Sequence, residues 1–290
     1  MLKIRHYFEY RLARIKSGQW KKDMVDALFY LVQGYLLAVA VMIVFQRQVM
    51  YYPSSVWSAA PHTGIQTVTY VTPDNISITS WYAPPQGDKP VLVMFHGNAG
   101  NISDRAFKQD FFAQHGYGFL LAEYRGYGRT KGRPSEEGFY SDARAAMTWL
   151  EKTQKIGPSR IILYGESIGT GAASEMAIEF KNTKALVLEA PLTTMPDVTK
   201  SVYPWLTPVS YLTLDRYDNL SKAPFFEMPV LVVHGSKDNV IPVEQGKKLF
   251  AAVGTAHKKL VILEGGSHND LAEFGLLAEI QKFIDQLPPL

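Results

Sequence analysis

The chain has 290 residues, of which 47% are hydrophobic, and a formal net charge of +3 at pH 7. This length can bury one sizeable core but is short for two, so we expect one globular domain with an appendage. The absence of cysteine excludes thiol nucleophiles, disulfides and thiolate metal sites. The basic residues form no aromatic-interleaved stripe, which argues against nucleic acid as a partner.

A basic segment, residues 1–26, precedes an apolar run over residues 27–45 whose only ionisable side chains are tyrosines. A helix of this run would be roughly 28 Å long, close to the hydrocarbon thickness of a bilayer, which predicts a single membrane-spanning helix. The alternatives are a buried core helix and the h-region of a signal peptide. The run is long for an h-region, and Pro61 follows the small residues 58–60 unfavourably for cleavage.

The distribution of basic residues predicts the orientation of this helix. Arg47 is the only lysine or arginine between the apolar run and Lys89. We therefore expect a single-pass protein whose N-terminus is cytoplasmic and whose chain after Phe45 lies on the other side of the membrane. Three aromatic residues are candidates for the far membrane interface: Tyr51, Tyr52 and Trp57.

From Gln66 onward, short β-branched or apolar runs alternate with longer helical stretches, which is typical of a mostly parallel sheet with helices on both faces. Eight strands are predicted, at residues 67–71, 77–82, 91–95, 119–123, 161–164, 185–189, 230–234 and 259–263. The first two lack an intervening helix and should form an antiparallel hairpin. Helices are predicted at residues 103–115, 136–153, 168–180, 243–253 and 269–286. Residues 51–288 are thus expected to form one α/β domain.

One connection is far longer than the usual two to six residues. Residues 191–228, between the sixth and seventh strands, are predicted to form a short cap insertion. Its aromatic side chains either wall an apolar substrate pocket or pack a surface helix onto the sheet, and the sequence favours neither. These residues are Tyr203, Trp205, Tyr211, Tyr217, Phe225 and Phe226.

The motif Gly165-Glu166-Ser167-Ile168-Gly169 stands between a predicted strand and an alanine-rich helical segment. A serine at such a sharp strand-to-helix turn is forced into a strained backbone conformation, and glycines flank it because side chains there would collide with the turn or with neighbouring strands. The hydroxyl is then exposed at a helix N-terminus. This context predicts that Ser167 is a nucleophile; a capping serine in a tight turn is the alternative.

A serine nucleophile needs a base within hydrogen-bond reach and a carboxylate that orients the base. His268 follows the last predicted strand in a glycine-rich loop that can carry an imidazole over the sheet edge. Asp238 follows the strand at 230–234 and emerges at the same carboxyl edge as Ser167. The order Ser, Asp, His is that of α/β-hydrolases. The alternative for Asp238 is that it only forms a turn. His96 and His234 also lie at strand ends, but they are expected to satisfy backbone groups.

Acyl transfer also requires rigid donors for the developing oxyanion. A loop of small residues, 96–101, follows the third predicted strand. We assign the backbone N–H groups of Asn98 and Ile168 as the oxyanion hole; a plain glycine-rich turn is the alternative. No phosphate-binding glycine motif matches here, and this chemistry requires neither a metal nor an organic cofactor.

Three triplets match the acceptor pattern for N-glycosylation, although such triplets often arise by chance. They begin at Asn75, Asn101 and Asn219. A glycan on Asn101 would obstruct the predicted oxyanion loop. The sequence therefore favours a bacterial periplasmic setting for the catalytic domain over a glycosylating lumen.

With these residues in place, the chain resembles the α/β-hydrolase superfamily over residues 51–288, and within it the membrane-anchored α/β-hydrolase-domain proteins and the serine aminopeptidase-like hydrolases. The motifs that carry the resemblance are His96-Gly97-Asn98-Ala99-Gly100-Asn101, Tyr124-Arg125-Gly126-Tyr127-Gly128, Gly165-Glu166-Ser167-Ile168-Gly169, Arg216-Tyr217-Asp218-Asn219-Leu220, Gly235-Ser236-Lys237-Asp238 and Gly266-Ser267-His268. The resemblance implies that the Tyr124 motif shapes the loop after the fourth strand. Glu123 and Thr130 stand where these two groups of hydrolases often have aspartate and serine.

The residues and the resemblance together predict a membrane-anchored serine hydrolase that acts on small acyl esters or thioesters, with a lipid-like or acylated substrate. Members of this group also include peptidase-like enzymes, so the reaction type is predicted better than the substrate. Two alternatives remain open: an aminopeptidase-like amide hydrolase, and a membrane-tethered interaction protein without turnover.

Overall fold

The computed structural model describes residues 6–7, 9–10, 13 and 16–288. Part of the predicted basic segment, including Lys3, Arg5, Arg11 and Arg14, lies outside the described residues. The chain divides into two compact units, Met1–Gln46 and Arg47–Leu290. Each unit is described by itself below.

Helix α1, Gln19–Met50, supplies most of the first unit and includes the whole predicted span at residues 27–45. Its apolar side chains are largely exposed to solvent, as Leu31, Leu37 and Val44 illustrate. A soluble protein rarely leaves such a long apolar surface uncovered. Helix α1 is thus long and apolar enough to cross a membrane.

The second unit is built on an eight-stranded sheet, as predicted. Its strands are β1 (Gln66–Val71), β2 (Ser77–Ala83), β3 (Val91–Phe95), β4 (Gly118–Ala122), β5 (Ile161–Glu166), β6 (Ala185–Glu189), β7 (Val230–Gly235) and β8 (Lys258–Leu263). Their order across the sheet is β8-β7-β6-β5-β3-β4-β2-β1. Strand β2 pairs antiparallel with β1 and β4, and all other neighbours are parallel. The predicted hairpin and the mostly parallel sheet are therefore confirmed.

Helices cover both faces of this sheet. They are α2 (Ala106–Gln114), α3 (Glu136–Lys152), α4 (Gly169–Glu179), α5 (Met195–Val202), α6 (Asn219–Lys222), α7 (Val243–Ala252) and α8 (Leu276–Asp285). Side chains alternate along β3, so that Val93 packs in the core with α3, α4 and α7 while Met94 packs in the core with α2 and α8. Because both faces are buried, the parallel strands are continuous apolar runs.

Two predicted helices begin later than expected. Residues 102–105 form a 3₁₀ turn before α2, and residues 271–274 form another before α8. Asn101 caps the first turn by accepting the Ser103 N–H, while its own N–H donates to Asp104. The side-chain cap thus stabilises a tight turn where the apolar pattern alone predicted continuous helix.

The long connection between β6 and β7 contains α5, a 3₁₀ helix at Pro204–Leu212, α6 and a short 3₁₀ turn at Ala223–Phe225. Its six aromatic residues differ in burial. Tyr217 and Phe226 are buried in the core, Tyr203 is half-buried, and Trp205, Tyr211 and Phe225 are exposed. Packing onto the sheet therefore describes only some of these side chains.

Tyr51 was a candidate for the far membrane interface, and the structure corrects this interpretation. Its side chain is buried, and its hydroxyl lies 2.7 Å from the Tyr217 hydroxyl and 3.1 Å from Asp215 Oδ2. Arg47 closes the same cluster by donating to both oxygens of Asp215, at 2.8 and 2.9 Å. A buried hydroxyl requires such partners, so Tyr51 belongs to the core of the second unit.

Candidate active site

Ser167 lies in the sharp turn between β5 and α4. Its φ is +53°, a left-handed conformation that is costly for a residue with a side chain. The flanking glycines allow this turn, because a Cβ on Gly165 would lie 2.5 Å from Thr170 Cα, and one on Gly169 would lie 2.1 Å from the Phe95 carbonyl oxygen. The Ser167 N–H donates to the Glu189 carbonyl at 2.9 Å, which ties the turn to β6.

The structure brings Ser167, His268 and Asp238 together from the loops after β5, β8 and β7. His268 Nε2 lies 3.0 Å from Ser167 Oγ, and His268 Nδ1 lies 2.7 Å from Asp238 Oδ2. A carboxylate only accepts, so Nδ1 carries the proton and the Nε2 lone pair faces the hydroxyl. This tautomer can take the serine proton during attack on a carbonyl.

Asp238 is held as an anion in this chain of hydrogen bonds. Its other oxygen, Oδ1, accepts the N–H groups of Val240 and Ile241 at 2.9 and 2.8 Å. Burial opposes ionisation, but the hydrogen bonds from His234 and His268 outweigh it and hold the pKa of Asp238 well below the usual range. A negative charge at this position would stabilise an imidazolium on His268.

The two predicted oxyanion donors lie in the loops that follow two neighbouring parallel strands, β3 and β5. Ile168 precedes the first residue of α4, and Asn98 lies in the loop after β3. Within the described part of the chain, neither N–H group donates a hydrogen bond to the protein. Both are therefore available to a ligand oxygen.

Comparison with known proteins identifies the family of the chain. A family model for the alpha/beta hydrolase fold matches residues 90–213, and a model for serine aminopeptidase, S33, matches residues 216–274. An uncharacterized protein of Mycobacterium tuberculosis is 38% identical over 234 residues, which cover 78% of this chain and 81% of the relative. The chain belongs to the α/β-hydrolase superfamily.

Solved structures show the same fold as this α/β-hydrolase. The Pyrococcus furiosus esterase Pf2001 has 18% sequence identity and a TM-score of 0.68, covering 82% of this chain and 97% of its own. An acetyl xylan esterase from Paenibacillus sp. R4 has 20% identity and a TM-score of 0.66, covering 80% of this chain and 87% of its own. Similarity at this level of identity shows the architecture and no more.

A second histidine contacts the aspartate of this α/β-hydrolase, which the sequence analysis missed. Fully buried His234 places Nε2 2.8 Å from the Ile241 carbonyl oxygen and 3.3 Å from Asp238 Oδ2. Both neighbours accept, so Nε2 carries a proton and supports the aspartate loop. The backbone contact agrees with the predicted role of His234. The sequence spacing indicated the contact with Asp238, because the two residues are four positions apart at the end of one strand.

Four charged side chains form a buried cluster beneath the serine turn, and the sequence analysis missed them as well. Glu166 Oε1 accepts from Arg105 Nη2 at 2.7 Å, and Lys108 bridges Glu166 Oε2 and Glu189 Oε2 at 2.7 and 2.6 Å. Burial opposes ionisation of Glu166, but the two cations outweigh it and hold its pKa well below the usual range. Burial and the charge of Glu166 raise the pKa of Glu189. Charge balance thus fixes the carboxyl ends of β5 and β6 near Ser167.

The two departures from the frequent pattern of the group have structural roles here. Glu123 Oε1 lies 2.7 Å from His96 Nε2, while His96 Nδ1 lies 2.7 Å from the Gly97 carbonyl oxygen. Both His96 and Glu123 are buried, so this pair fixes the start of the loop that holds Asn98. Thr130 Oγ1 accepts the Thr79 N–H at 3.1 Å, which connects the loop after β4 to β2.

Two of the three glycosylation triplets are inaccessible. Asn101 and Asn219 are fully buried and hydrogen-bonded, whereas Asn75 is exposed. A folded chain cannot present the buried pair to a glycosylating enzyme, so these triplets give no information about the compartment. No group of three or more candidate metal ligands occurs in the described part of the chain.

Proposed function

We propose that this α/β-hydrolase is a membrane-anchored serine hydrolase that cleaves carboxylic ester or thioester bonds of acylated or lipid-like substrates through an acyl-enzyme. The observation that carries the proposal is the continuous hydrogen-bond chain from Asp238 through His268 to Ser167. A serine, its base and an orienting carboxylate at three strand ends form the arrangement that nucleophilic acyl transfer requires.

The reaction proceeds in two halves. Ser167 Oγ attacks the carbonyl carbon while His268 Nε2 takes its proton, and the N–H groups of Asn98 and Ile168 stabilise the oxyanion. The imidazolium then protonates the leaving alcohol or thiol, which departs and leaves an acyl ester on Ser167. Water, deprotonated by the same imidazole, attacks this ester and releases the acid.

The charges of the cap support an ester or thioester over the amide of an aminopeptidase. Capture of a free amino terminus needs an acidic group directed at the site. Every acidic residue of the cap is already engaged: Asp197 with Lys200, Asp215 with Arg47, Asp218 as the cap of α6, and Glu227 with Lys181. The two solved structural neighbours described above are named as esterases, which agrees with this choice.

Helix α1 supports the membrane part of the proposal. Its apolar length fits a bilayer, and the basic residues before it favour a cytoplasmic N-terminus with the catalytic domain on the periplasmic face. Protease added to one face of intact membranes tests this orientation. Digestion of the catalytic domain from the cytoplasmic face alone would overturn it.

Labelling with a fluorophosphonate probe tests the catalytic part on the full chain in membranes. The wild-type chain should be labelled at Ser167, and Ser167→Ala should lose labelling together with about 10⁴-fold or more of the esterase kcat. Ser201→Ala, an exposed serine of the cap, is the matched control and should keep both. A wild-type chain that resists the probe would point to the interaction protein, and faster cleavage of aminoacyl amides than of acyl esters would point to the aminopeptidase.

A further inference from the structure

The segment that follows α1 contacts the predicted oxyanion loop directly. We call residues 50–56 the connecting segment. Asn98 Nδ2 donates to the carbonyl of Met50, the last residue of α1, and Asn98 Oδ1 accepts the Tyr52 N–H at 3.3 Å. Carbonyls in the last turn of a helix lack partners within that helix, so Met50 has a free acceptor to offer. Both ends of the Asn98 carboxamide are thereby fixed.

The rest of the oxyanion loop is bonded to the same segment. Residues Tyr52–Pro53 pair in parallel with Ala99–Gly100, and the Ser54 N–H donates to the Gly100 carbonyl at 2.9 Å. Asn101 Nδ2 in turn donates to the carbonyls of Ser54 and Val56, at 3.1 and 2.7 Å. Each residue from 98 to 101 therefore has at least one partner in the connecting segment.

Such a clamp matters because the loop is intrinsically free. Gly97 directly precedes Asn98 and lacks a side chain, so the backbone restricts the direction of the Asn98 N–H only weakly; Gly100, two residues after Asn98, has a φ of +79°. An oxyanion donor is effective only if its direction is fixed before the charge develops. Two further residues hold the same loop: the Tyr127 hydroxyl donates to the Asn98 carbonyl at 2.8 Å, and Glu166 accepts the Gly97 N–H at 3.2 Å.

We propose that the connecting segment is a positioning element of the oxyanion hole: through Met50 and Tyr52 it holds the Asn98 side chain and so aims the Asn98 N–H at the reacting oxygen. The inference rests on the proposed function and deepens it.

The experiment uses the full chain in nanodiscs and an Asn98→Ala variant, which removes the carboxamide but keeps the backbone N–H. Turnover of a soluble acyl ester is expressed per site titrated with fluorophosphonate, so that unfolded protein does not lower the measured kcat. We expect kcat to fall about 10-fold to 100-fold, as for a catalytic group displaced by about 1 Å, while KM changes by less than about twofold. Asn182→Ala, at an exposed asparagine outside the site, is the control and should leave both constants unchanged.

A pair of inhibitors separates this role from a merely structural one. An alkyl trifluoromethyl ketone forms an oxyanion on Ser167, whereas the matching secondary alcohol does not. In Asn98→Ala the Ki of the ketone should rise by the same factor as kcat/KM falls, and the Ki of the alcohol should stay constant. A rise in KM alone, a ketone Ki that stays constant, or unchanged kinetics would overturn the inference. If neither probe acts on the wild-type chain, the proposed function itself fails.

Discussion

Replacing Glu166 by glutamine tests how much the buried charge cluster contributes to stability. The side chain accepts three hydrogen bonds from cations: Arg105 Nε at 3.1 Å, Arg105 Nη2 at 2.7 Å and Lys108 Nζ at 2.7 Å. Glutamine has a similar shape but no charge, so the two cations would keep Glu189 and the more exposed Asp104, which lies 4.0 Å from Arg105 Nη1. The variant therefore leaves two cations with a single buried carboxylate.

The size of the effect follows from the burial of the partners. Breaking a buried ion pair costs about 3–5 kcal/mol, and the lower end applies because Glu166 and Arg105 each retain 15% side-chain exposure. A loss of about 3 kcal/mol in a unit of this size lowers Tm by about 6–12 °C, at about 2–4 °C per kcal/mol. The expected result is thus a large shift in Tm from the replacement of one heavy atom.

Thermal unfolding of the full chain in detergent, followed by intrinsic fluorescence, measures this shift. Glu279→Gln is the matched control, because Glu279 pairs with Lys259 at 2.9 Å but both side chains are about one-third exposed. Such a pair contributes at most about 1 kcal/mol. Combining Glu166→Gln with Lys108→Met should cost less than the sum of the single changes. A Glu166→Gln shift no larger than that of Glu279→Gln would refute the reasoning.

Two further predictions concern Asp238 and the packing of α4. The pKa of Asp238 is depressed in the folded chain, so its carboxylate stabilises the fold above the unfolded pKa of about 3.9 and loses this contribution as the pH falls. The Tm of the wild-type chain should therefore drop more steeply than that of Asp238→Asn between about pH 5 and 3. Parallel curves of Tm against pH would contradict this prediction. Gly171→Ala should lower the stability by about 1–3 kcal/mol, because the new Cβ would lie 2.3 Å from Tyr217 Cδ1. Gly157→Ala is the control, since a Cβ there meets open space and should be neutral or slightly stabilising. Equal effects of the two variants on Tm would show that the contact with Tyr217 relaxes freely.

The strands could be predicted because buried parallel strands have a strong local signature. Val91–Phe95 and Ala185–Glu189 were predicted with their observed bounds, and the other strands differ by one or two residues. The positions of Ser167, Asp238 and His268 followed from the same pattern, since parallel strands bring their carboxyl ends to one edge. The strand pattern does not predict the other contacts of the loop residues at that edge.

The partners of charged and aromatic side chains could not be predicted. Lys108 reads as an ordinary helical surface residue, yet it is buried against Glu189, 81 positions away. Tyr51 follows an apolar run, which is the pattern of an interfacial aromatic, and its burial depends on Tyr217, 166 positions away. A local sequence pattern predicts whether a residue prefers a polar or an apolar environment. It does not predict which distant residue provides that environment.

The sheet has two open edges, β1 and β8. An edge strand exposes N–H and C=O groups to which a second chain can add a strand, and lysines at the edge make this addition unfavourable. Strand β8 begins with Lys258 and Lys259, which are held within their own chain by the Val253 carbonyl at 2.7 Å and by Glu279 at 2.9 Å. Copies of the chain are thereby protected against aggregation through this edge.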